Sequence, residues 1–327
     1  MNIQEIYKLA IEMGIKADFR SKEKISKILK REQEKYRDLS ESKKELFDKE
    51  KFVNPYLDTK IHFDGGVRQI KKIMSGIDID SSELMVARYL SNHNPKGQID
   101  LVIGHHPEGK ALADLSDVMH LQAELLSQYG VPINVAEGLM KIRIAEVSRG
   151  VSASNHFKEV DTARLLNMNF MNVHTPADNL VARFVEAKIN KDKPETVGDV
   201  IKSLLEIPEY KEGALRGAGP RLFTGSKENS VGKIAFSEIT GGTSGSAKMY
   251  EKLAQAGVGT IISMHQSEEY RKEAEAAHIN VVIAGHISSD SIGMNLFLDE
   301  LEKKGIEIVP CSGLIRVSRV KKEKGKR

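Results

Sequence analysis

Asp100-Leu101-Val102-Ile103-Gly104-His105-His106-Pro107 is the stretch that decides how this chain is read. Ile99 to Ile103 reads as a strand hydrophobic on both faces, as parallel strands covered by helices are, and it ends in a glycine, two histidines and a proline. Far downstream, Val281-Val282-Ile283-Ala284-Gly285-His286 repeats the pattern of an apolar strand closing in Gly-His. Open α/β sheets carry their chemistry in loops beyond the carboxyl ends of parallel strands, and imidazole is the commonest neutral ligand of divalent transition metals. The two strands are therefore expected to converge on one metal site. Adjacent residues of a continuing strand point to opposite faces, so His105 and His106 share a cavity only because Pro107 ends the strand.

Around these strands the pattern alternates. Ser81 to Ser91 reads as a helix through Leu84, Met85, Ala87 and Leu90, and Ser116 to Tyr129 as the next, stopped at Gly130 and Pro132. Phe170 to Val173 reads as a short strand leading into His174-Thr175-Pro176-Ala177-Asp178 and a helix from Asp178 to Lys188. The polar run Asn190 to Pro194 marks an internal boundary. Beyond it the spacing predicts strands Lys233–Ile239, Gly259–Ser263, Asn280–Ala284 and Glu307–Pro310, separated by helices Ser246–Ala256, Glu268–Ala277 and Asp290–Lys304. The expected fold is α/β: two lobes with mixed, largely parallel sheets, residues 54–189 and 190–315, and a dinuclear metal site in the cleft between them. A helical N-terminal extension, residues 1–53, reads as an appendage because Arg31 to Lys51 is too charged to be buried, and residues 316–327 as a solvated basic tail.

His286 and Asp290, four residues apart, fall on one face at a helix start. Read singly, Asp290 is an acidic helix start and Asp178 a helix cap. Read together, His105, His106, Asp178, His286 and Asp290 lie at the ends of three strands, and three histidines with two carboxylates suit two divalent ions about 3.5 to 4 Å apart. Zinc, iron, manganese and nickel all accept such ligands.

At these residues the chain resembles the Nif-three-like family, whose members include homologues of a type-two GTP cyclohydrolase. The resemblance is carried by Leu101 to Pro107, Val173 to Asp178 and Ala284 to Asp290, in that order, with Thr240 to Gly245 resembling the family's glycine turn. It implies a dinuclear metal site held by His105, His106, Asp178, His286 and Asp290, and a toroidal homohexamer. Two departures stand out. The family's last ligand is usually glutamate where Asp290 stands, and its Trp-Asp-Asn segment is missing from a chain with no tryptophan.

His174, Glu108 and His265 are further candidates, for orienting the site or meeting substrate, each also readable as an ordinary packed or solvated residue. His62, His93, His120, His156 and His278 lack comparable spacing. Gly241-Gly242-Thr243-Ser244-Gly245 sits between a strand and a helix, where amides can cradle phosphate, yet it lacks the Gly-Lys-Ser/Thr ending of a Walker A loop. Gly213 to Gly225, with Arg216 and Arg221, reads as a mobile connection.

With 327 residues, 40% of them hydrophobic, the chain is long enough for two cores, and it has no apolar run near the roughly 20 residues of a membrane helix. The start Met1-Asn2-Ile3-Gln4-Glu5 does not read as a secretory signal, and the single Cys311 fits a reducing compartment, so the cytoplasm is expected. The net charge of +3 decides little, and the lack of an aromatic and basic patch or recognition motif speaks against nucleic acid. The leading functional expectation is a metal-dependent hydrolase acting on a small phosphorylated or nucleotide-like molecule. Its rivals are a non-catalytic metal-delivery protein and an assembly scaffold.

Overall fold

The computed structural model describes residues 1–93 and 97–321, in which helices and strands alternate as expected. Nine strands are formed among the described residues: β1 Ile61–Phe63, β2 Lys72–Gly76, β3 Leu101–Gly104, β4 Phe170–Asn172, β5 Arg221–Thr224, β6 Lys233–Glu238, β7 Val258–Ser263, β8 Asn280–Ile283 and β9 Glu307–Pro310. They build two sheets, in the orders β1-β4-β3-β2-β9 and β5-β8-β7-β6. Each is parallel except at one edge, where β1 runs against β4 and β5 against β8.

The alternation of strand side chains covers each sheet on both faces. Leu101 and Ile103 pack with Ile73, Met294 and Phe297, while Val102 packs oppositely with Met74, Leu84 and Phe170. In the second sheet, Ala235, Ile261 and Val281 face one cluster, and Phe236, Ile262 and Val282 face another with Val181 and Val185. The helix Thr175–Asp192 supplies Ala177 to the first core and Val181 to the second, so it lies between the sheets. Helix His286–Glu302 does the same through Met294 and Ile292. These two central helices pack at backbone distance: a Cβ at Gly293 would stand 2.3 Å from the Ala177 carbonyl, so only glycine permits the contact. That approach brings the first turns of both helices together.

Four expectations are corrected. The N-terminal segment is not an appendage: helix Ile3–Ala17, started by an Asn2/Glu5 capping box, buries Ile3, Ile6 and Ala10 in the first core. Gly14 of the same helix touches Pro176, two residues before Asp178. Charge in Arg31 to Lys51 indicated exposure correctly for that stretch but not for the apolar stripe before it. Strand β9, expected in the second lobe, pairs with β2 in the first sheet, Ile73 beside Ile308. Residues 221–224 of the expected mobile connection form β5, whose short edge pairing leaves little periodicity to read. Finally, Arg316 binds Asp299 at 2.7 Å and Arg319 binds the buried Glu209 at 2.7 Å, so that part of the expected solvated tail is anchored. Residues 322–327 of the expected tail lie outside the described residues. No helix among the described residues is long and apolar enough to cross a membrane.

Candidate metal centre

Four chain segments deliver side chains to one point. His105 and His106 follow β3, His174 follows β4 and precedes the helix carrying Asp178, and His286 opens the helix carrying Asp290. Asp78 follows β2 across the same sheet edge. The turn between β8 and His286 depends on Gly285, whose φ of 115° is one that residues with a Cβ rarely adopt.

Asp290 lies at the centre, 1% exposed. One carboxylate oxygen, Oδ1, is 3.5 Å from His105 Nε2, and the other, Oδ2, is 3.5 Å from both His106 Nε2 and His286 Nε2. His105 Nε2 is also 3.4 Å from Asp178 Oδ1, and His174 Nε2 is 3.9 Å from Asp178 Oδ2. Three overlapping groups have ligand atoms within 4.8 Å of one another: His105, Asp178 and Asp290; His106, His286 and Asp290; and His105, His106 and His174. All five residues expected to ligate metal are thus brought together, and His174 joins them.

The separations test whether the donors fit an ion. At 3.4 to 3.5 Å the contacts are too long for strong hydrogen bonds, and both Asp290 oxygens are buried with no hydrogen-bond partner among the described residues. Two ligands held at roughly 2.1 Å from one ion in tetrahedral geometry stand about 3.4 Å apart. Leaving a buried carboxylate unpaired is costly, so a cation among these groups resolves an otherwise unfavourable arrangement. The donor set fits divalent metal.

Outer partners turn the imidazoles inward. His105 Nδ1 lies 2.9 Å from the Val173 carbonyl, His106 Nδ1 lies 2.6 Å from Asp78 Oδ1, and His174 Nδ1 lies 2.7 Å from the buried Asp58, which also accepts from Thr175. With Nδ1 engaged in each, Nε2 is left for the centre. Asp58 and Asp78 were missed by sequence reasoning. Their only local signal is a carboxylate near a strand end, which many solvated residues share.

The charges of the cluster act strongly on one another. Burial disfavours the His105 imidazolium, but Asp290 and Asp178 outweigh it and raise its pKa well above the usual value. Burial likewise opposes charge on His106, yet Asp290 and Asp78 raise it to about 9. Asp290 is held far below the ordinary carboxylate range because the histidines overcome its desolvation. Burial keeps His265 and His286 below the ordinary imidazole value.

The remaining candidates separate. The His265 ring stands 4.9 Å from that of His286, at the edge of the cluster. Glu108 does not join it: burial and the neighbouring Glu159 carboxylate raise its pKa to about 8. His62 packs on Phe170, His93 on Tyr89, and His156 binds the Val151 carbonyl. A cavity of about 780 Å³ lies elsewhere, lined by Ile28, Leu29, Leu121 and Met140, and among the described residues it brings no comparable group of ligating residues together.

Neither a protein-family model nor a curated protein sequence matches the chain. Solved structures do. A NIF3 superfamily protein from Sphaerobacter thermophilus is similar with a TM-score of 0.73 and 25% identity, over 96% of this chain and 99% of that one. Reduced HcgD from Methanocaldococcus jannaschii (16% identity, 77% of this chain and 88% of that one, TM-score 0.45) is more distant. So is a Bacillus cereus protein related to NIF3 (10% identity, 100% of this chain and 99% of that one, TM-score 0.41). The Sphaerobacter likeness spans both sheets and the central helices that carry the cluster. With that fold over nearly its whole length, and with the residues of the three Nif-three-like motifs gathered at one point, the chain is similar to the NIF3-like family in both fold and candidate site.

Proposed function

We propose that the chain holds two divalent metal ions and acts as a hydrolase on a small phosphorylated or nucleotide-like molecule. His105, Asp178 and Asp290 hold one ion; His106, His286 and Asp290 hold the other. The observation that carries this reading is the Asp290 carboxylate, buried and unpartnered, with each oxygen facing a different set of imidazoles. Two ions so held supply Lewis-acid chemistry, bringing the pKa of a water towards neutrality and stabilising charge that develops in the attack.

The protein's own groups supply position. Asp78, the Val173 carbonyl and Asp58 fix the rings of His106, His105 and His174, so that little reorganisation is needed on binding. His265, exposed in the same region and favouring its neutral form, is placed to accept a proton from substrate or solvent. The test is turnover of a panel of phosphoesters and nucleotides, with and without zinc, iron, manganese or nickel, against a His105→Ala variant. Metal-dependent turnover lost in the variant supports the enzyme. Tight metal binding without turnover across the panel points instead to a metal-delivery protein.

The same reading extends to a homohexamer, supported by the exposed apolar stripe Met85, Val86 and Tyr89 on helix Ser81–His93. A concentration-independent monomer in light scattering would refute it.

A further inference from the structure

We propose that the glycine turn Gly241–Ser246 is an anion subsite that holds a phosphoryl group of the substrate beside the His/Asp cluster. The choice of substrate rests on the hydrolase reading above, whereas the cradle is a property of the turn itself. Carbonyl groups of this turn are withdrawn to one side. Gln122 donates to the Gly241 oxygen at 2.9 Å and also to that of Thr243, Arg143 to that of Ser244 at 3.1 Å, and Tyr270 to that of Gly245 at 2.7 Å. The donors stand on helices His120–Gln128, Ile133–Val151 and Glu268–Ala276, behind the turn.

In a planar trans peptide the N–H of the next residue points opposite to the carbonyl. The amides of Gly242, Ser244 and Ser246 therefore point away from those helices, and none of the three meets an acceptor among the described residues. The Gly245 amide alone turns to a carboxylate, Glu238 Oε1 at 3.4 Å. A solvated turn would offer carbonyls and amides alike to water. Here four carbonyls of the turn are engaged by side chains and only that of Gly242 meets no donor among the described residues, so the free polarity is mainly that of amides, as in the nests that bind phosphate. Glycine is required, because φ is 97° at Gly241 and 89° at Gly242, and a Cβ there would stand 2.6 Å from Gln122 Cγ or 2.7 Å from Val118 Cγ2.

Location ties the turn to the cluster. At one end Thr240 donates to Asn179, the neighbour of Asp178, at 2.6 Å. At the other, Ser244 Oγ is 3.4 Å from His265 Nδ1, and the His265 ring lies against His286. Lys248 is turned away onto Glu273 at 2.6 Å, so the subsite uses backbone dipoles rather than a side-chain cation. That suits a phosphate whose remaining charge is met at the metal side.

Protein uniformly labelled with ¹⁵N, zinc-loaded and chelator-stripped, is titrated with inorganic phosphate and followed by its amide resonances. The expected result is saturable movement of the Gly242, Ser244 and Ser246 amides in both forms, tighter in the loaded one. Movement confined to residues of the His/Asp cluster, or none, overturns the subsite. Metal content measured on the same samples reports separately on the metal reading. Gly242→Ala, checked by its melting curve, is expected to weaken phosphate about tenfold or more by misplacing donors to a charged group. If that variant does not fold, the wild-type amide shifts alone decide.

Discussion

Replacing Asp290 by Asn removes the one charge that both halves of the cluster share while nearly preserving size. The structure makes the consequence unequal. In the group His106, His286 and Asp290 it deletes the sole carboxylate, whereas His105 keeps Asp178 beside it. Removing one partner from a buried charge pair costs about 3 kcal/mol, on the order of a hundredfold in affinity, which is expected for the ion at His106 and His286. The other ion retains an anionic ligand and should weaken less, by about tenfold on the same scale. The assay is competition of stripped protein against a chromophoric zinc chelator, with elemental analysis after dialysis and a melting curve of the stripped variant to show that it folds. Asp290→Glu restores the family's usual residue, but both carboxylate oxygens already stand 3.5 Å from their neighbours in a buried site, so the added methylene is expected to weaken binding too. Two ions bound by Asp290→Asn and Asp290→Ala as tightly as by the parent would refute the reasoning and leave Asp290 a helix-start residue.

Asp78→Asn should weaken the His106 ion by about ten- to a hundredfold, because the ring loses the partner that fixes its tautomer; unchanged zinc competition would show that Asp78 only decorates the surface. Ile6→Ala should cost about 3 kcal/mol in urea unfolding, since Ile6 is wholly buried; a loss near zero would restore the view of the first helix as an appendage. Burial raises Glu238 from 4.5 to about 7, so the unfolded chain ionises it first and stability, full below pH 4.5, declines by up to about 3 kcal/mol as pH rises through 7. Glu238→Gln should flatten that slope between pH 5 and 8 and be the more stable form at pH 8; parallel curves would remove Glu238 as its source.

Much of this protein was legible in one dimension because its chemistry sits at punctuated strand ends. The apolar run before His105, the Gly-His at 285–286 and the four-residue spacing of His286 and Asp290 mark strand-to-helix exits, and such exits lie at the carboxyl ends of parallel strands, β3 in the first sheet and β8 in the second. Local pattern therefore sufficed for the α/β class and for the five residues that meet. It did not suffice where long-range packing decides. Asp58 and Asp78 orient histidines 116 and 28 residues away, and their own neighbourhoods carry no trace of those partners. Strand β9 reads as a strand from its composition, but its place beside β2 follows from how helix His286–Glu302 packs between the sheets. The glycine turn shows where positive φ is needed, whereas the direction of its amides is set by Gln122, Arg143 and Tyr270 on three separate helices. Sequence by itself determined which side chains could bind metal. Only the tertiary structure decided how they are oriented, because orientation is imposed by partners remote in the chain.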